Sequence, residues 1–227
     1  MRINADLDRA ALVDTTALDW SPSPSHGVER RMIERAGDEL ARATSLVRYA
    51  PGSRFDAHTH GGGEEFLVLA GTFCDEEGRF PAGTYVRNPV GTAHAPHTDE
   101  GCTIFVKLWW MHPDDQQSAR VDTTDPEAWE PGPWPGTYYL CLHRYAGEET
   151  GMLALEPSAG IPARDVDGGE ELLVVSGEAR MNGETLAEGT WHRHPGSGVP
   201  ALDAPAGCVV LRKRGHLAHP PPLPHGA

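Results

Sequence analysis

The sequence predicts an all-β protein built from two tandem copies of one domain, and two observations carry that expectation. With 26 glycines and 20 prolines among 227 residues, the chain favours many short strands joined by tight turns over long helices. It also repeats itself at a fixed offset. Gly63-Glu64-Glu65-Phe66-Leu67-Val68-Leu69-Ala70-Gly71 returns as Gly169-Glu170-Glu171-Leu172-Leu173-Val174-Val175-Ser176-Gly177. Gly83-Thr84-Tyr85-Val86-Arg87-Asn88-Pro89 returns as Gly189-Thr190-Trp191-His192-Arg193-His194-Pro195, and Gly101-Cys102 and Lys107 return as Gly207-Cys208 and Lys213. No gap is needed from Glu64 to Lys107, which makes coincidence a poor explanation.

The repeat divides the chain into residues 1–124 and 125–227. Within the first part, two alternating runs flank the turn signal Gly37-Asp38, and the run from Ala41 to Tyr49 reads as the strand that opens the first domain. Asp114 to Gly136 is rich in Asp, Pro and Gly and reads as a linker. Trp109, Trp110, Trp129 and Trp134 flank it; such aromatics more often pack domains than bind a ligand, and both roles stay open. His219 to Ala227 is too rich in proline to join a sheet and reads as a tail.

His58, His60 and Glu64 form the most informative stretch. Residues two apart on a strand share a face, so His58 and His60 point together. Gly61-Gly62-Gly63 then lets the chain turn sharply and bring Glu64 back beside them. The following block, Gly83 to His94 with Pro89 and Gly91 between, completes a two-part pattern that resembles the paired motifs of the cupin superfamily. That resemblance implies a small β-barrel in each copy, with one divalent metal in the mouth on His58, His60, Glu64 and His94. Thr98 stands where the superfamily motif usually has Asn, a position that is not a ligand.

The second copy keeps the frame and loses the ligands. Its Gly160-to-Gly177 segment is two residues shorter than Gly52 to Gly71, the loop reads Arg164-Asp165-Val166-Asp167, and Pro200 replaces His94. Glu170 alone survives and cannot hold a transition metal. His192 and His194 share a strand face but match Val86 and Asn88, which are not ligand positions, so a single metal per chain is expected.

The fuller pattern resembles the ChrR-type cupin family, named for an anti-sigma factor with a zinc-binding cupin half. The resemblance runs from Trp20 to Leu217 and rests on Leu46-Val47-Arg48, Gly63 to Leu69, Asp75-Glu76, Tyr85 to Pro89 and Gly189-Thr190-Trp191. The first 50 residues contain no cysteine and one histidine, His26, so the His/Cys zinc module that the resemblance implies for gripping a sigma factor is not expected in them.

Three neutral imidazoles and a carboxylate suit iron, manganese, nickel, copper or zinc. A six-coordinate iron would keep two positions open, which suits an oxygenase, or a lyase or isomerase, acting on a small enolizable or dihydroxy substrate. A four-coordinate zinc would be filled, which suits a non-catalytic sensor of a small molecule or oxidant. The expectation is the enzyme, with the sensor as alternative. Tyr85 and Arg87 alternate along one strand and could reach into the cup to touch substrate or point outward. Lys107, in an apolar strand, could hold an anionic substrate. His97 reads as a rim histidine. No catalytic acid, base or nucleophile can be named.

The formal charge of −14 with no basic cluster argues against nucleic acid as a partner and favours cations or weakly charged small molecules. No apolar stretch approaches a membrane span, and acidic residues stand where a signal peptide needs an apolar core. The chain is therefore read as cytoplasmic. Cys74, Cys102, Cys141 and Cys208 lack paired spacing and read as reduced fillers. Unpaired sheet edges leave room for a homodimer.

Overall fold

The computed structural model describes residues 1–38 and 40–224. It is all-β; the helical elements among these residues are two 3-10 turns, Thr15–Ala17 and Pro126–Ala128. The repeat is visible strand by strand. Glu64–Asp75 matches Glu170–Met181, Gly78–Pro81 matches Glu184–Ala187, Thr84–Asn88 matches Thr190–His194, and Cys102–Leu108 matches Cys208–Arg214. No described helix is long and apolar enough to cross a membrane.

The residues cluster into two compact units. The first comprises residues 1–5, 18–124 and 221–224, and the second residues 6–17 and 125–220. Compared with the expected spans of 1–124 and 125–227, residues 6–17 group with the second unit and residues 221–224 with the first. Residues 219–224 carry no strand, as expected of a tail, and the rest of that segment lies outside the described residues.

In the first unit the strand order is Arg2–Ile3, Val28–Gly37, Ala41–Tyr49, Cys102–Leu108, Glu64–Asp75, Thr84–Asn88, Ala119–Asp122. The late strand Cys102–Leu108 thus lies between two earlier ones, the interleaving of a jelly-roll barrel. The hydrogen-bonded path stays open, and a separate two-stranded sheet pairs His58–Thr59 with Ala93–His94. Alternation sorts the side chains: Phe66, Val68, Val86, Ile104 and Val106 point inward and form the core with Val28, Tyr49, Phe73, Phe80 and Cys102. The second unit repeats this plan around Leu153, Leu172, Val174, Leu202 and Val210.

The expected linker is partly strand. Ala119–Asp122 pairs with Thr84–Asn88 and finishes the first unit's sheet. Its counterpart is at the N-terminus: Ala11–Asp14 pairs with Thr190–His194 in the second unit. The sequences agree, Ala11-Leu12-Val13-Asp14-Thr15-Thr16 against Ala119-Arg120-Val121-Asp122-Thr123-Thr124. So do the contacts: the Thr15 and Thr123 hydroxyls donate to the carbonyls of Gly189 and Gly83, each at 2.6 Å. Each repeat therefore begins with a strand that completes the other repeat's sheet.

Candidate metal centre

His58 and His94 are register partners in the two-stranded sheet, which places their rings 4.9 Å apart. The His60 amide donates to the Thr92 carbonyl at 2.8 Å, so its ring joins them, 5.1 Å from His58 and 4.6 Å from His94. The chain then turns through Gly61–Gly63. A Cβ on Gly62 would lie 2.3 Å from the Trp109 ring, and Gly63 has φ +74° with Met111 packed on it; both positions need glycine. That turn delivers Glu64 to the start of its long strand, facing the histidines.

Ligand atoms of His58, His60, Glu64 and His94 all lie within 4.8 Å of one another, and the last three residues are buried. Two metal–ligand bonds of about 2.1 Å span about 4.2 Å end to end, so a small contraction would bring all four onto one ion. The group can hold one metal ion. His97 is not part of it; its backbone bridges Cys74 instead.

The hydrogen bonds behind the rings set their tautomers. His58 Nδ1 faces the Asp56 carbonyl at 3.0 Å, and His94 Nδ1 the Asp75 carboxylate at 3.0 Å. Both partners only accept, so both nitrogens must donate. The Thr92 hydroxyl donates to the Pro89 carbonyl at 2.7 Å and accepts from His60 Nδ1 at 2.8 Å. In all three rings Nε2 is left with its lone pair. The buried Nε2 atoms of His60 and His94 have no hydrogen-bond partner and stand 3.4 and 3.3 Å from Glu64 Oε2. Asn88 donates to that same oxygen at 3.1 Å and is itself fixed by Arg120 at 2.7 Å. Orphaned nitrogens converging on a carboxylate are a donor set that suits a metal ion.

Electrostatics point the same way. Burial pulls His60 down to about 4, against the opposing charge of Glu64, so its ring is neutral near pH 7. Burial also disfavours a charged His94, but the Asp75 hydrogen bond and the charges of Glu64 and Asp75 outweigh it and raise that ring. Asp75 in turn is held low despite its burial, by His94 and the Glu77 amide.

A cavity of about 310 Å³ opens onto His58, His60 and Glu64. Its wall is the inward face of the sheet, including Val47, Tyr49, Ile104, Val106 and Leu108, with Phe55 and Trp109 at its sides. Trp109 thus packs on the glycine turn and lines the cup.

Tyr85, Arg87 and Lys107 are not brought to this cavity. Cross-strand partners share a face, and the register pairs Glu64 with Asn88 and Leu108, but Glu65 with Arg87 and Lys107, and Leu67 with Tyr85. All three candidates lie on the face opposite Glu64, and there they are buried. Tyr85 donates to Glu65 at 2.7 Å, Arg87 to Asp115 at 2.6 Å and Lys107 to Thr44 at 2.9 Å. The second copy keeps Glu171, Arg193 and Lys213 buried at the same places without the metal ligands, so this network goes with the frame. Counting alternation from Glu64 would have shown it. Asp75, legible only as part of the family pattern, and Thr92 orient His94 and His60; the spacing of neither residue shows the hydrogen bond it makes.

The model of the ChrR cupin-like domain matches the chain twice, over residues 8–112 and 116–218. No curated protein matches it by sequence. Among solved structures, a candidate dioxygenase from Nostoc punctiforme is 14% identical with a TM-score of 0.73, covering 91% of this chain and 82% of its own. Salicylate 1,2-dioxygenase from Pseudoaminobacter salicylatoxidans, a point mutant in complex with gentisate, is 13% identical with a TM-score of 0.66, covering 94% and 83%. The bacterial pirin YhhW from Escherichia coli, in complex with nickel(II), is 13% identical with a TM-score of 0.66, covering 95% and 100%. At these identities the likeness is one of fold, the tandem cupin.

Proposed function

Since the chain belongs to the ChrR cupin-like family and carries a three-histidine, one-glutamate group on the wall of an open cavity, we propose a metal-dependent enzyme. Its reaction is an oxygenation, or a related lyase or isomerase step, on a small oxygenated organic substrate. The observation that carries the reading is the convergence of partnerless Nε2 atoms beside a cavity of about 310 Å³, within the size range of small-molecule sites. His58, His60, Glu64 and His94 would hold the ion. A bound divalent metal, iron foremost, would supply open coordination positions and Lewis acidity to a chelating enolate or vicinal diol. Asp56, Thr92 and Asp75 keep the three rings in one tautomer. Apolar side chains around the cavity limit water. The fold is shared with dioxygenases and with a nickel-binding pirin, which supports a metal-bearing cup.

A second reading, a zinc-binding sensor, is favoured by the ligand count: four protein ligands already fill a tetrahedral zinc ion. One experiment separates the two. Elemental analysis of protein made without added metal is expected to give about one equivalent per chain, falling toward zero in a His58→Ala, His60→Ala double mutant. Iron, manganese, nickel or copper, with oxygen uptake on β-diketones, catechols or hydroxy-ketones, supports the enzyme. Tightly held zinc, with no turnover after iron reconstitution, overturns it in favour of the sensor.

A further inference from the structure

Arg30 lies on the Val28–Gly37 strand and lines the same cavity as His58, His60 and Glu64. Its register partner is the cup-facing Val47, so its side chain leaves the sheet on the inward face. Its buried Nε has no hydrogen-bond partner, and no ion pair is formed by Arg30 among the described residues. Arg35, further along the strand, also lines the cavity but donates to the Asp38 carbonyl. Arg30 is half-buried, so its guanidinium keeps donors available at the cavity, and a carboxylate matches that planar donor fork.

The internal repeat supplies a comparison within the chain. Arg30 pairs with Val47, and the equivalent pair in the second unit is Tyr139 with Leu153. The copy that lacks the metal ligands thus has a tyrosine where the copy that has them carries an arginine. Arg35, by contrast, has an arginine counterpart in Arg144, whose partner is Glu149 at 2.7 Å. Arg30 therefore goes with the metal group, not with the frame.

We propose that Arg30 anchors a carboxylate of the ligand, so that the cup takes a small organic acid whose other end carries the metal-chelating oxygens. The net charge of −14 repels anions at a distance, so a cationic side chain inside the cavity would decide whether an acid is retained. The inference rests on the metal reading of the site for the chelating end, and on Arg30 alone for the acidic end.

The test is a calorimetric titration of the metal-loaded protein with hydroxylated benzoates, each beside its methyl ester, which removes the charge at the addition of one methyl group. The wild type is expected to bind at least one acid about ten- to hundredfold more tightly than its ester, the value of a charge-assisted hydrogen bond. Arg30→Met should bring the acid to the level of the ester while leaving ester affinity and the metal equivalent unchanged. Arg30→Lys should restore part of the preference, which separates loss of charge from loss of packing. Retention of the full preference in Arg30→Met, or its absence in the wild type for every acid, overturns the proposal. Metal loss with an intact, Arg30-dependent preference would instead overturn the metal reading and leave the anchor standing.

Discussion

Arg164 donates to both carboxylate oxygens of Glu170 at 2.6 Å, and Glu170 stands in the second repeat where Glu64 stands in the first. Arg164 lies on the short strand Arg164–Asp165, paired with Gly198–Val199, the equivalent of the strand that carries His58. Arg212, the counterpart of Val106, approaches Glu170 from another side at 3.9 Å and Glu149 at 3.2 Å. Guanidinium groups thus occupy the surroundings of the carboxylate that the first repeat directs at three imidazoles. A buried carboxylate needs a positive partner; in the second repeat it is a guanidinium, whereas in the first the carboxylate joins a group of side chains that could hold a metal ion.

The first prediction follows from that pair. Arg164→Ala should leave Glu170 with a distant partner and lower the stability of the second unit by on the order of 3 kcal/mol. Urea unfolding followed by circular dichroism would measure it, and the metal equivalent of the first unit should not change. A loss below about 0.5 kcal/mol, the value of an exposed pair, would show the contact to be incidental.

Much of the frame was legible because it lies in local patterns. The glycines, alternating apolar positions and Glu-Glu pair that recur from Glu64 to Lys107 predict strands that recur with identical bounds in both copies. His58, His60 and Glu64 were legible as a group because one short motif brings them together, and His94 joined them through the resemblance to the paired cupin motifs. The face of Tyr85, Arg87 and Lys107 was also readable in principle, since register with Glu65 decides it. The exchanged strands were harder. Ala11–Asp14 and Ala119–Asp122 resemble each other over few residues, and their pairing is set by contacts far along the chain that no local periodicity encodes. Arg30 was silent for the same reason: its role comes from a cavity closed by strands distant in sequence.

Asp75 gives the second prediction. Asp75, a residue 6% exposed, accepts from His94 Nδ1 and so holds the Nε2 lone pair toward Glu64. Asp75→Asn keeps the shape but removes the charge that raises the basicity of the ring. Metal affinity, measured by competition with a chromogenic chelator, should fall about 10- to 100-fold. The unfolding midpoint of metal-free protein should change far less, which distinguishes positioning of the ring from support of the fold. Equal chelator curves for wild type and variant would remove Asp75 from the site.

The third prediction concerns acid stability and rests on His192. This side chain lies on the Thr190–His194 strand between its register partners Leu12 and Leu172, with the His194 ring 6.2 Å away. Burial, and then the nearby His194 charge, lower His192 to about 4, against about 6.5 for an unfolded histidine. The native ring is therefore neutral where the unfolded one takes up a proton. Its contribution is fully present above about pH 6.5 and is lost as the pH falls from there to about 4, by up to about 3 kcal/mol. His60, lowered to about 4 by burial, acts in the same window when no metal is bound. Urea midpoints of metal-free protein at pH 7.5, 5.5 and 4 should thus decline steeply in the wild type. In His192→Gln the decline should be shallower, with the remainder set by His60 and the carboxylates. Parallel declines in the two proteins would mean that His192 takes up its proton without unfolding.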